Sequence, residues 1–183
     1  KDGFRGDIYC TQATRELALV IMEDSAKIQE SDEGKKPLYV AEDVNRVLSL
    51  FKVKEIGKTF PLAGAHVKFQ SAGHILGAIS AVIDCGMRIV FSGDLGRSDD
   101  ALILSPELCP PANFVVMEST YGGRVRQGIL KDELEKLLVT AYKKKKPIIV
   151  ASFAVARAQL LLTLIYEFYQ KHPEYKLEVF IDS

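Results

Sequence analysis

The side chains best suited to chemistry are His74 and Asp94, in the run Phe69–Asp94, FQSAGHILGAISAVIDCGMRIVFSGD. An imidazole nitrogen and a carboxylate oxygen are both zinc ligands, and a carboxylate has a second oxygen with which to bridge to another ion. Gly73 and Gly77 bracket the histidine, and Gly93 and Gly96 bracket the aspartate, permitting bends that aim both side chains into one pocket. Three further stretches carry candidates. Glu118 closes the apolar run Phe114–Met117, Arg124 follows the ESTYGG loop, and Ser152 and Arg157 lie in ASFAVARAQ. A helix starting at Ser152 after a buried strand would offer backbone N–H groups to an anion such as a phosphate, with either arginine at hand for a second contact. Residue types alone leave plainer readings open: a hydrogen-bonded loop histidine, a turn-capping aspartate, a strand-end glutamate and two surface arginines.

The elements that must position these groups follow from the pattern of apolar residues. Ala78–Ile83 and the run from Arg88 to Phe91 read as strands joined at hairpin length by Asp84–Cys85–Gly86–Met87. Their near-continuous apolar character predicts cover on both faces. An antiparallel pair brings the entrance of one strand, where His74 lies, to the exit of the other, where Asp94 lies. Upstream, Asp7–Cys10 reads as a short strand, with Thr11 or Thr14 as N-cap of a helix whose apolar stripe is Leu17, Val20, Ile21 and Ile28. Glu30–Pro37 is a charged break, Ala41–Phe51 a second helix, and His66–Gln70 a strand with His66 at its surface. Downstream, Phe114–Met117 is a strand, Gln127–Lys145 an amphipathic helix ending in Lys143–Lys146, and Ile148–Ala151 a buried strand. Ser152 then caps a helix to about Gln170, and Leu177–Ile181 starts another strand. Alternation of strand and helix from Phe114 onward predicts a parallel sheet with right-handed crossovers. Two unlike parts therefore meet near residue 112, giving domains 1–112 and 113–183.

Composition bounds the function. The 183 residues hold 48% hydrophobic side chains, enough for one core or parts of two domains. Basic and acidic residues balance at 24 each, so any nucleic-acid contact must come from a local patch rather than a global field. Cys10, Cys85 and Cys109 are odd in number and widely spaced, which argues against a disulfide framework and for a reducing compartment, the cytoplasm or nucleus. No apolar run approaches the roughly 20 residues of a membrane span.

The stretches AGHILGA, FSGDLGR, MESTYGGR and ASFAVARAQ occur in that order, between GFRGDIYCTQATRELA at the start and VFIDS at the end. Together they resemble the metallo-β-lactamase fold of the β-CASP group of RNA-processing nucleases. That group includes the endonuclease subunit of the pre-mRNA cleavage and polyadenylation factor and bacterial and archaeal ribonucleases. The resemblance implies an α/β chain: part of a metallo-β-lactamase αββα sandwich, followed by the start of a Rossmann-like β-CASP domain with parallel strands. It also implies a pair of zinc ions, with His74 and Asp94 among their ligands, Asp94 bridging the two. Glu118 matches an acidic residue that orients a general-acid histidine, so Glu118 and Asp94 are the expected catalytic groups. Ser152, Arg157 and Arg124 are expected at substrate phosphate. A histidine often stands two positions beyond the ESTYG(D/G)R motif, where this chain has Arg126.

Only three histidines are present, and the HxHxDH cluster that supplies most ligands in the group is absent. It is expected upstream of Lys1, with further ligands beyond Ser183, the chain being a segment that alone binds zinc weakly and cleaves nothing. The implied function is part of a zinc-dependent RNA-cleaving hydrolase, acting on a phosphodiester through a metal-activated water. RNA is the expected partner, DNA a second candidate and a membrane none, with the protein a homodimer or a subunit of a processing complex. Two alternatives stand beside it: a catalytically inactive relative serving as a scaffold in such a complex, and a metallo-hydrolase of a small substrate.

Overall fold

The computed structural model describes residues 3–32, 34–98, 100, 102–124 and 130–182. Along these residues run β1 (Ile8–Cys10), α1 (Gln12–Ser31), α2 (Ala41–Ser49), β2 (Phe51–Val53), β3 (Thr59–Leu62) and β4 (Ala65–Ser71). Then come β5 (Ile79–Asp84), β6 (Arg88–Phe91), β7 (Phe114–Val116), α3 (Leu130–Lys144) and α4 (Arg157–Lys171), with a final 3-10 turn at Pro173–Tyr175. The chain is a mixed α/β protein with parallel and antiparallel pairing. It divides into two compact units, Lys1–Glu118 and Ser119–Ser183.

In the first unit, β1 pairs in parallel with β2, and the other strands form one sheet in the order β3-β4-β5-β6-β7. The period of two along β4 puts Val67 and Phe69 on one face, where both are buried with Phe60 of β3. Phe60 stacks on Tyr9 at 5.5 Å and meets Phe69 edge-on at 5.3 Å, so an aromatic cluster joins β1 to the large sheet. His66, on the opposite face of β4, is exposed as expected. The β5–β6 hairpin also forms as expected, its far end closed by a two-pronged pair between Arg88 and Asp84, with Nε–Oδ1 2.8 Å and Nη2–Oδ2 3.2 Å.

Three expectations for this unit need correction. The apolar stripe of α1 is not a core face: Val20, Ile21 and Ile28 are exposed, and Ala26 is the helix's buried residue. The hairpin is not covered on both faces either, since each of its strands buries a single valine, Val82 and Val90. And Phe114–Val116, read as the first strand of the second part, pairs in parallel with β6 and extends the first unit's sheet. The division by contacts accordingly falls after Glu118.

The second unit is helical. Leu134 and Leu138 of α3 pack against Leu164 and Phe168 of α4, and Tyr175 folds back over Tyr142 and Phe168. Lys131 and Glu167 tie the two helices by an ion pair. The expected start of α3 at Gln127, like Arg126, lies outside the described residues. Ile148–Ala151 and Leu177–Ile181, expected as strands of a parallel sheet, pair with nothing among the described residues, and Ile149 and Phe180 are 94% and 86% exposed. A strand is made by its ladder, and apolar composition alone provides no partner for the backbone groups. Ser152 is not the helix cap: α4 begins at Arg157, after Ala156 at φ 68°.

Two predictions follow from this packing. Replacing Phe168, which is 1% exposed, by Ala should destabilise the second unit by about 3–5 kcal/mol in urea unfolding. In the first unit, the hydrogen bond from Arg88 holds the Asp84 carboxyl below its usual value. Its contribution is therefore complete above the unfolded carboxylate value of about 3.9 and is lost as pH falls through the lower folded value. Unfolding curves of Asp84→Asn and the parent should differ at pH 7 and converge as pH falls through the lowered folded value of Asp84.

Candidate metal centre

The topology sends three loop ends to one edge of the sheet. β5 and β6 are antiparallel, so the entrance of β5 at Ile79 lies beside the exit of β6 at Phe91. β6 and β7 are parallel, with Phe91 opposite Val116, so both leave the sheet at that same edge. The loop before β5 carries His74, the loop after β6 carries Asp94, and the residues after β7 carry Glu118.

Backbone contacts then hold the loops against one another. The Gly96 amide donates to the Ala72 carbonyl at 2.9 Å. A Cβ on Gly96 would run into the carbonyl oxygen of Gly73 and lie 2.5 Å from the His74 nitrogen, so only glycine lets the two loops touch here. On its other side Gly73, at φ 65°, is covered by Leu104–Pro106, and its absent Cβ would meet Pro106 at 2.6 Å. Glu107 secures that covering segment: its carboxylate accepts from the Ser71 amide at 3.0 Å and from Gln70 Nε2 at 3.1 Å.

His74 Nε2 and Asp94 Oδ2 stand 3.9 Å apart, with the side chains 43% and 73% exposed. That is beyond a hydrogen bond. It is within twice the roughly 2.0–2.2 Å that zinc keeps to nitrogen and oxygen ligands, so one small cation can reach both atoms. Neither side chain makes a hydrogen bond among the described residues, which leaves their lone pairs available. The donor set thus fits zinc as part of a ligand shell. No group of three or more His, Cys, Asp or Glu side chains with metal-binding geometry occurs among the described residues.

Glu118 has a defined place beside this pair. One carboxylate oxygen accepts the Leu95 amide at 2.8 Å, the residue directly after Asp94. Its own amide donates to the hydroxyl of Ser92 at 3.1 Å. Ser92, buried at 6% exposure, also donates its amide to Val116 at 2.9 Å and accepts the Ser80 hydroxyl on its carbonyl at 2.7 Å. Glu118 therefore tethers the Asp94 loop to the end of β7. Ser80 was visible in the sequence as the one polar residue in an apolar strand, a signal that it serves a partner. Ser92 and Glu107 carried no comparable signal.

The remaining candidates belong to the second unit. Arg124 lies over the Tyr121 ring with its guanidinium carbon 5.7 Å from the centroid, and Arg157 lies over Phe153 at 5.0 Å. Arg157 is the first residue of α4 rather than a turn and a half inside it, and the exposed Ser152 hydroxyl donates to the Phe153 carbonyl at 3.2 Å.

No protein-family model matches the chain. Curated proteins do. The chain is 30% identical to ribonuclease TTHA0252 of Thermus thermophilus over its whole length, covering 42% of that protein. It is 27% identical to endoribonuclease ysh-1 of Neurospora crassa, with 96% of the chain matched to 22% of the relative. With the cleavage and polyadenylation specificity factor subunit 3-I of Arabidopsis thaliana it shares 26% identity, 95% of the chain matching 26% of that protein. The chain is a homologue of RNA-processing nucleases. The likeness read from AGHILGA, FSGDLGR, MESTYGGR and ASFAVARAQ is thereby borne out. The chain spans less than half the length of each of these relatives.

The packing of Gly96 against Gly73 yields a test. Gly96→Ala should push the two loops apart and cost about 1–3 kcal/mol of first-unit stability. The shift should register as a lower urea midpoint together with a changed His74 ring environment by NMR.

Proposed function

We propose that the chain carries part of the centre of a zinc-dependent, RNA-cleaving phosphodiester hydrolase, with His74 and Asp94 as zinc ligands and RNA as substrate. The observation that carries the reading is the approach of His74 Nε2 to Asp94 Oδ2 at 3.9 Å, at the sheet edge where Glu118 also ends. The names of the homologous ribonucleases support RNA as the substrate class.

Bound zinc would supply Lewis acidity toward the phosphodiester and would acidify water, a role shared in such sites by two ions about 3.5–4 Å apart. The chain's own residues have narrower tasks. His74 offers an imidazole nitrogen, and Asp94 offers a carboxylate with two oxygens. Exposure of both leaves an approach for a phosphate that a buried pair would deny. Glu118 orients: through the Leu95 amide it fixes the loop on which Asp94 stands. Arg124 and Arg157, each over an aromatic ring, keep their charge at the surface of the second unit, where a nucleic-acid backbone can be met.

The experiment uses the full gene product. Zinc should measure about two ions per chain, and chelation should abolish cleavage of a single-stranded RNA. His74→Ala and Asp94→Asn should each lose zinc and cleavage together. Glu118→Gln should lower turnover with zinc content unchanged. RNA cleavage undiminished by chelation, or retained in both ligand variants, would end this reading.

A further inference from the structure

We infer that Thr11 and Thr14 are positioning residues for the loop that carries His74: their hydroxyl groups hold the carbonyl oxygen of Gly77 against the first turn of α1. The inference deepens the proposed function, since it matters for chemistry only if His74 is a ligand.

Thr11 Oγ1 lies 2.9 Å and Thr14 Oγ1 3.0 Å from the same carbonyl oxygen, across more than sixty residues of sequence. The proton count is consistent. Thr11 Oγ1 accepts the Thr14 amide at 3.1 Å, which is its duty as the helix N-cap. The Thr14 hydroxyl donates to Gly77, and the Thr11 proton serves either Gly77 or Thr14 Oγ1, which is 2.9 Å away. Capping α1 therefore needs Thr11 but not the hydroxyl of Thr14. Threonine inside a helix has modest propensity and commonly bonds its own preceding turn. Here the hydroxyl is turned outward, to another loop.

Gly77 is shaped for that contact. It sits at φ 86°, and a Cβ there would lie 2.6 Å from Thr11 Oγ1, 2.8 Å from the Thr14 nitrogen and 2.9 Å from the Ala13 methyl. The loop backbone thus rests directly on the helix end. The Ala78 amide bonds back to the Ile75 carbonyl at 3.0 Å, and the Ala72 amide to the Ala78 carbonyl at 3.1 Å, which closes the loop into a narrow neck. A shift at Gly77 is therefore carried across that neck to His74. With Gly73 held by Leu104–Pro106, the loop is gripped at both ends. Residues that orient a ligand from behind in this way typically change metal affinity by about 10–100-fold when lost.

Thr14→Val isolates the grip, because it keeps the side-chain shape and the Thr11 cap while removing the hydroxyl. Thr14→Ser restores the hydroxyl. In the isotope-labelled chain, Thr14→Val should speed hydrogen exchange at the Ala78 amide by about fivefold or more, the value of one hydrogen bond. It should also raise the zinc concentration that half-shifts the His74 ring signals by about tenfold. Thr14→Ser should return both to the parent values, with the urea midpoint as a control for general destabilisation. Equal Ala78 exchange in Thr14→Val and parent, or failure of Thr14→Ser to restore it, overturns the inference. Failure of the zinc reading is separable: if His74→Ala leaves zinc binding unchanged, the ligand assignment falls, and the exchange data alone still decide whether the clamp exists.

Discussion

The hydrogen bond from the Gly96 amide to the Ala72 carbonyl is the constraint on which the candidate centre depends. It joins the loop before β5 to the loop after β6 backbone to backbone, at a separation no side chain could occupy. Because the contact is between main chains, it does not itself depend on any side-chain conformation. Parallel pairing of β6 with β7 then adds Glu118, tied to Leu95 and to Ser92. The centre is built as a stack of three strand ends, each latched to the next by an amide or a hydroxyl.

The residues around this edge are more buried than its two candidate ligand side chains. Ala72 is fully buried, and Gln70 and Ser92 are buried and hydrogen-bonded. A polar group out of water costs free energy unless paired, so these partners are obligatory rather than optional.

Much of the first unit was legible in its residues, and the reasons differ from place to place. The β5–β6 hairpin was, because two short apolar runs around a Gly-containing turn of hairpin length admit few other structures. The cap of α1 was narrowed to Thr11 or Thr14, since a threonine ahead of a helix has a specific job, and it is Thr11 that takes it. The convergence of His74 with Asp94 followed from the antiparallel pairing alone, whereas their chemistry came from resemblance. Apolar content foretold burial at Val44, Leu134, Leu138 and Ala141 but not everywhere. Val20, Ile28, Ile149 and Phe180 are apolar and exposed, and hydrophobicity names a surface in want of cover without naming what covers it. The grip of Thr14 on Gly77 was beyond reach for another reason, since nothing local links a threonine to a glycine sixty-three positions away.

The two ends of the β5–β6 hairpin have separate jobs. At one end are the glycine-lined loops and the ligand pair, and at the other, about 17–20 Å of strand away, the Arg88–Asp84 pair closes an exposed turn. That outer end is anchored in its own right: the Arg88 amide donates to Asn113 Oδ1 at 2.8 Å, and the Asn113 amide donates to the Arg88 carbonyl at 2.9 Å. Cys85 within the outer turn is exposed, which makes it a handle for attaching a reporter at the end of the hairpin away from His74 and Asp94.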